Sequence, residues 1–474
     1  MVDDGKKLNE RGKIIMSSTL NFNELKKIIN DESRVIFDGN IDKKYLTDGL
    51  GRDFGEADVL IFAKSSDEVQ KVINFANENK INITVRGSGT GLTGATIPLF
   101  RGIILDLSKM NRILELDEKN LTLTVEPGVL LQDIQAFVEE KNYFYPPDPG
   151  EKTATIGGNV STNAGGMRAV KYGVTRNYVY ELEVVTGDGR KLIVGGKTIK
   201  NSSGLDLKDL IIGSEGTLAV ITRIVLKIIP KPEKSVSVLI PFNNLKDGVN
   251  SVINIIKANS NPTAIEFMER KLVENSEKFL DLKLSYDGGE CFLLLTFDGD
   301  ENSIDINKEK AKNAALKSKA LDFLVLNEKQ AEDTWKIRGA LASAITINDE
   351  QIPIDIVVPI TKISEFAEFT SNLGKEHKIQ VIYFGHAGDG NIHVSVMRNH
   401  REINEWKRIS EPFLEELYNK SYELNGIPSG EHGIGLEKKT YFLKVTDKTN
   451  IQLMRSIKSV FDVNKILNVG KVYS

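Results

Sequence analysis

The amino-acid sequence predicts an α+β protein of two domains, on three observations. At 474 residues the chain is long enough for two or three domains of ~150 residues each. Short apolar runs alternate with amphipathic stretches in the N-terminal part and again after residue 234, the pattern of strands backed by helices. Glycine crowds residues 87–217 and then gives way at Ile229-Pro-Lys-Pro-Glu233, a stiff segment suited to a domain link. Hydrophobic residues make up 40% and charged residues 27%, an ordinary globular balance. The 62 Lys+Arg against 66 Asp+Glu leave a net charge of −4, without the basic surplus of a general nucleic-acid binder.

Residues 1–20 hold only Ile14-Ile15-Met16 as an apolar patch, too short for a signal peptide, and no apolar run approaches the ~18 residues that span a bilayer. The expectation is a polar extension and first helix over 1–34 of a cytoplasmic protein that does not insert directly into a membrane. Val59–Ala63 reads as a buried strand. Ser65 and Glu68 form a capping box, and Val69, Val72, Ile73 and Ala76 recur at helical spacing; with the strand Ile81–Arg86 they make a β-α-β unit over 59–86.

Gly89-Thr-Gly91-Leu-Thr-Gly94 is a literal G-x-G-x-x-G after a strand. A dinucleotide-binding Rossmann unit needs a helix immediately afterwards. Pro98 and Gly102 interrupt the next residues, and Ile103–Leu107 is already a strand. The loop Arg86–Leu92 remains rich in unobstructed backbone N–H groups and suits a diphosphate, although a plain glycine turn would read the same. Four further glycine clusters follow at Pro146–Gly150, Ile156–Asn159, Asn163–Met167 and Ile212–Thr217, which suggests an extended ligand touched along its length.

Those stretches resemble the flavin-binding domain of the vanillyl-alcohol-oxidase type (the PCMH-type FAD domain), on the branch of D-lactate dehydrogenases and glycolate oxidase flavin subunits. The resemblance covers roughly residues 35–474. It implies that Arg86, Gly87, Ser88, Gly89, Thr90, Gly91 and Leu92 hold the pyrophosphate, and that Pro147, Asp148, Gly157, Gly158, Ser161, Gly165 and Gly166 line the flavin. It puts Glu215, Gly216 and Ile221 near the adenosine end and brings Asn468 of the tail to the cofactor. The sequence departs from the family's pattern at Leu205, where tyrosine is usual, and at Val463 and Val469, where proline is usual. No histidine precedes His377 and the single cysteine, Cys291, lies in a strand-like run, so FAD is expected to be noncovalent.

All five histidines lie at 377 or later. His386-Ala-Gly-Asp-Gly-Asn-Ile-His393 sets two imidazoles around a tight turn, and Gly430-Glu-His-Gly433 adds a carboxylate and a third imidazole. Two histidines and a carboxylate suit a borderline divalent metal, zinc, iron or manganese, with positions left open for substrate. The same residues read alone would also fit a metal-dependent hydrolase, or a turn shaped by Asp389 and Asn391 with imidazoles capping strand ends. The resemblance implies that His386, His393 and Glu431 are metal ligands and His432 the base. It also implies that Arg338, otherwise a solvated helix face, binds the substrate carboxylate.

Together these readings give a two-domain PCMH-type FAD-binding fold: an FAD domain over 1–230, a C-terminal α/β cap or substrate domain over 231–430, and a segment 431–474 returning to the FAD domain. The implied activity is FAD-dependent oxidation of a D-2-hydroxy acid, D-lactate before glycolate or 2-hydroxyglutarate, because Ala342 and Pro353 stand where relatives acting on dicarboxylates tend to carry polar or cationic side chains. With one cysteine and no Cys-x-x-Cys-His, the chain has no iron–sulfur cluster or haem motif through which electrons could leave. Through Pro146–Tyr178 and Pro262–Arg270 it most resembles the D-lactate dehydrogenases that work with an electron-transferring flavoprotein, which is the expected partner.

Overall fold

The computed structural model describes residues 7–8, 14–15, 22–346 and 350–474. Much of the expected N-terminal extension therefore lies outside the described residues; inside them the first helix is Asn23–Ile29. Val59–Phe62 is wholly buried and leads to the helix Ser66–Asn79, on which Val69, Val72, Ile73 and Ala76 have no exposed area. Ser65 Oγ accepts from Glu68 N at 3.2 Å, but the reciprocal half of the capping box is replaced. Glu68 instead accepts from Lys64 N at 2.8 Å and pairs with Arg34 at 2.6 Å. The β-α-β unit is also opened by one strand. Ile103–Asp106 lies between Val59–Phe62 and Ile83–Arg86, parallel to both, and Val35–Phe37 completes a four-stranded sheet. Residues 87–102 contain no helix, as Pro98 and Gly102 require.

A second sheet carries five antiparallel strands in the order Lys191–Gly195, Val179–Thr186, Ala219–Lys227, Thr122–Val125 and Ile113–Asp117. Ile229–Pro230 then pairs with Tyr143–Phe144, and Lys231 N bonds to Asn142 O, which fixes the exit of the chain toward the third sheet.

That third sheet has seven strands, antiparallel at every step: Leu324–Val325, Lys234–Phe242, Cys291–Gly299, Ala264–Glu269, Gln380–His386, Asn391–Met397 and Gln351–Val357. Strands and helices alternate along the chain, yet no two neighbouring strands run parallel. Side chains alternate between its faces. Val238, Ile240, Ile265, Phe267, Leu293 and Leu295 pack under the helices Leu245–Lys257, Glu301–Lys317, Ile363–Glu376 and Ile403–Glu423. Leu239, Met268, Phe292, Leu294, Ile382 and Phe384 pack on the other face against Arg270–Leu280 and Glu328–Gly339.

The tail returns to the first two sheets. Leu467 bridges Ile83 in parallel, and the helix Lys448–Phe461 delivers Lys458 into a fully enclosed site. There its Nζ donates to Thr217 O, Leu467 O and Asp462 Oδ2 at 2.8–2.9 Å, while Asp462 accepts from the amides of Ile466 and Leu467. Removing one member of such a buried pair leaves an uncompensated charge, which is typically destabilising by about 3–5 kcal/mol. Lys458→Met should therefore lower the thermal unfolding temperature and release FAD at lower temperature than in the parent, as followed by flavin fluorescence; coincident release curves would refute this role for the tail.

Candidate functional site: a cavity between glycine loops and a charged sheet face

A cavity of about 550 Å³ lies between the glycine loops and the seven-stranded sheet. The loop 86–92 forms one end. Among the described residues, no hydrogen bond is donated by the amides of 87–93, so seven consecutive N–H groups are available to an anion there. Gly89 adopts φ +76°, and a Cβ on it would strike the Arg86 guanidinium. Arg86 itself is turned away from the loop's mouth: its Nη1 and Nη2 donate to Thr47 O and Lys44 O at 2.6 and 2.7 Å. Its guanidinium supports the loop through these two carbonyls, and the backbone amides are the groups the loop can offer a diphosphate. These residues fit the diphosphate of an FAD.

Asp148, Gly157, Gly158, Ser161, Glu215, Gly216, Ile221 and Asn468 all line the same cavity. Pro147, Gly165 and Gly166 do not form its wall. Pro147 O accepts from Gln135, Gly166 (φ +113°) turns tightly over Asp148 O, and Gly165 makes room for Glu431, whose Oε2 would lie 3.1 Å from a Cβ there. Glu215 is buried and its carboxylate accepts from the amides of Ile434 and Gly435 at 2.7 and 2.9 Å. Asn468 joins strand and turn, accepting from Val85 N and donating to Glu215 O at 2.6 Å. Both residues hold the tail segments in place at the cavity.

The other side is built on one face of the large sheet. Gln380–His386 and Asn391–Met397 form a hairpin in which His386 is opposite Asn391, so His393, two residues further, falls on the same face as His386. Their Nε2 atoms are 3.3 Å apart, and Glu431 Oε1 lies 3.6 and 3.4 Å from them. Bonds of 2.0–2.2 Å at 90–109° to one ion require donor separations of about 3.0–3.5 Å. Two facing imidazole nitrogens and a carboxylate at that spacing fit a divalent metal. Burial pushes the His393 imidazole down to about 3, which leaves its lone pair free to ligate. For Glu431, burial acts upward, but the hydrogen bond and charge of the His386 imidazole outweigh it and hold the carboxyl low. His432 stacks on His393 with ring centroids 5.5 Å apart, and its Nδ1 has no hydrogen-bond partner.

Two buried carboxylates that the sequence reading passed over organise this face. Asp355 pairs in register with His393 and has no exposed area. Its Oδ2 accepts from the consecutive amides of Gly430, Glu431 and His432 at 2.9–3.1 Å and from Ser429 Oγ, while Oδ1 accepts from Asn391. Lys438 Nζ stands 3.3 Å away. Burial would raise the Asp355 carboxyl, but the charge of Lys438 and these amides hold it well below the usual range. Glu266, opposite His386 in the sheet, accepts from His386 Nδ1 at 2.7 Å and from Arg338 Nε and Nη2 at 2.9 and 2.6 Å. Arg338 lies over Phe384 and lines the cavity. The available signal was a lone acid between apolar neighbours, Ile265-Glu266-Phe267 and Ile354-Asp355-Ile356.

Residues 57–195 match the family described as FAD binding domain, and residues 231–472 match FAD linked oxidases, C-terminal domain. A D-lactate dehydrogenase of Anaerostipes hadrus is 41% identical over 449 residues, covering 93% of this chain and 94% of that one. The glycolate oxidase subunit GlcD of Bacillus subtilis (strain 168) is 36% identical, covering 88% and 89%. The solved structure of p-cresol methylhydroxylase with substrate bound shares the fold with a TM-score of 0.79, at 16% identity over 96% of this chain and 97% of that one. With both halves of the chain matched and the cavity built between them, the protein belongs to the FAD-linked oxidase family and is an FAD-dependent oxidoreductase.

Proposed function

We propose that the protein oxidises a D-2-hydroxy acid, with D-lactate its substrate and pyruvate its product. The observation that carries this reading is the meeting, in one cavity with the flavin loops, of three metal-type donors, the His432 imidazole, whose Nδ1 makes no hydrogen bond, and a buried arginine. The names of the relatives, D-lactate dehydrogenase and glycolate oxidase subunit, support the substrate class.

The reaction removes a hydride from C2 and a proton from the hydroxyl. FAD, held by the glycine loops without a covalent bond, would supply the acceptor for that hydride. His386, His393 and Glu431 would hold a divalent metal, which would supply the positive charge that eases loss of the hydroxyl proton, a loss that unaided occurs only far above neutral pH. His432 accepts the proton: Asp355 accepts from its backbone amide at 2.9 Å and stands 3.8 Å from its Nδ1, which fixes where the ring sits. Arg338 binds the substrate carboxylate through its Nη1 edge, since Glu266 already takes Nε and one Nη2 hydrogen. Beyond C2 the substrate meets Ala342, Pro353 and Phe384. Among the described residues lining the cavity, Arg338 is the one cation of the cap half, so a second substrate carboxylate would be buried unpaired. Electrons then pass to an electron-transferring flavoprotein that docks transiently; the single cysteine, Cys291, is buried in the cap sheet, so the chain carries no cysteine-bound relay of its own.

His432→Ala should slow anaerobic flavin reduction by about 10²–10⁴-fold with FAD content unchanged. Reduction at the parental rate would remove His432 from the base role. Chelation should slow reduction and added Zn²⁺ or Mn²⁺ should restore it, whereas indifference to both would exclude a metal from the step. In a panel of D-lactate, glycolate and D-2-hydroxyglutarate, lactate should saturate at the lowest concentration; tighter saturation by 2-hydroxyglutarate would reverse the substrate assignment.

A further inference from the structure

Glu266 has no exposed area and does not reach the cavity, so it cannot touch a substrate. It sits in the middle of the strand Ala264–Glu269, between Cys291–Gly299 and Gln380–His386, with Met268, Ile337 and Phe384 in the same apolar cluster nearby. An ionised carboxylate there loses its water, a penalty of several kcal/mol that only well-placed partners offset. Both of its oxygens are used. Oε1 takes the proton on His386 Nδ1, and Oε2 takes two N–H groups of Arg338. The Glu266 carboxylate is the hydrogen-bonded link between Arg338 and the metal-type donors; Phe384, under the guanidinium and 5.5 Å from the His393 ring, adds only an apolar contact.

We propose that Glu266 is a positioning residue that couples the metal ligand His386 to Arg338, so that the metal site and the substrate-carboxylate site are set by one shared carboxylate. This rests on the functional reading above. The proton on His386 Nδ1, held by Oε1, leaves Nε2 as the lone-pair nitrogen facing Glu431 and His393. The paired N–H groups of Arg338 fix the rotation of the same carboxylate and are fixed by it. A change at either end therefore reaches the other through a rigid body of three side chains. By thermodynamic reciprocity, a metal ion that tightens the His386 contact also orders Arg338, and an anion on Arg338 strengthens the metal site. Replacement by glutamine separates the two functions, because an amide offers one acceptor oxygen where the carboxylate offers two. One of the two donors would then face an NH₂.

The test uses the FAD-loaded protein stripped of metal and titrated with Zn²⁺ against a competing chelator, with no substrate present. Glu266→Gln should weaken Zn²⁺ binding by about 10–100-fold, the usual effect of losing such a partner, with FAD content unchanged. Arg338→Met should weaken Zn²⁺ binding several-fold in the parent and add nothing in the Glu266→Gln background. Zn²⁺ binding by Glu266→Gln equal to the parent's, or an Arg338→Met effect of the same size in both backgrounds, would overturn the coupling. If Glu266→Gln does not fold, Arg338→Met alone decides, since no shift in Zn²⁺ affinity then refutes the link. A parent protein that binds no Zn²⁺ overturns the metal reading itself and this coupling with it; a parent that binds Zn²⁺ while the variants behave independently overturns the coupling alone.

Discussion

Asp355 Oδ2 accepts the amides of Gly430, Glu431 and His432 from a strand position with no solvent exposure, and the placement of the remaining reactive groups follows from that contact. Residues 429–435 belong to no helix or strand, so no ladder of backbone hydrogen bonds fixes them. Two carboxylates do so instead. Asp355 from the large sheet holds 429–432, and Glu215 from the glycine-rich half holds the amides of Ile434 and Gly435. Glu431 and His432 project from between these two anchors, one toward the paired histidines and the other over His393. A buried carboxylate that accepts several N–H groups is stabilised in its charged form, which makes it a stiff anchor.

The sheet converts period-2 geometry into a constellation. Glu266, His386, His393 and Asp355 come from four neighbouring strands, and the register Glu266↔His386, Phe384↔His393, Asp355↔His393 brings all four to one face. The opposite face of those strands holds Ile265, Phe267, Ile392, Val394, Ile354 and Ile356, fully packed under helices. A one-residue slip would exchange the two sets, so the hydrophobic pattern that secures the core also secures the aim of the imidazoles. Sites carried on strands hold their side chains more closely than sites on loops.

Most of this was legible in the sequence where the signal was periodic or local. The strand and helix alternation after 234, the hairpin between His386 and His393 and the missing Rossmann helix all follow from spacing and from Pro98 and Gly102. What escaped was non-local. Nothing near residues 59–86 announces that Ile103–Asp106 will insert between their strands. Arg86 sits beside a phosphate-type loop, yet the carbonyls that bind it lie at 44 and 47. The 21-residue helix Ile403–Glu423 has a buried stripe of Trp406, Phe413, Leu417 and Tyr418, but Pro412 in its interior removes one N–H and obscures the pattern. Glu266 and Asp355 look like ordinary charged residues until the fold shows that no water reaches them.

Replacing a buried ion pair by apolar side chains of similar volume is often neutral or stabilising, so Glu266 with Arg338 and Asp355 with Lys438 add little to stability that a leucine could not supply. An apolar residue, however, cannot choose which nitrogen of His386 carries the proton, nor gather three consecutive amides. The division of labour between the two halves follows the same logic. The glycine-rich half presents mainly backbone groups to the cavity, and these carry little chemical identity. The large sheet contributes oriented side chains whose identity is the chemistry. Pro353 stands on the sheet and lines the cavity with no side-chain polar group that either buried carboxylate could hold, whereas Phe384 lies under the Arg338 guanidinium and beside the His393 ring. Pro353 can therefore change without disturbing the buried carboxylates, while a change at Phe384 would reach Arg338 and His393.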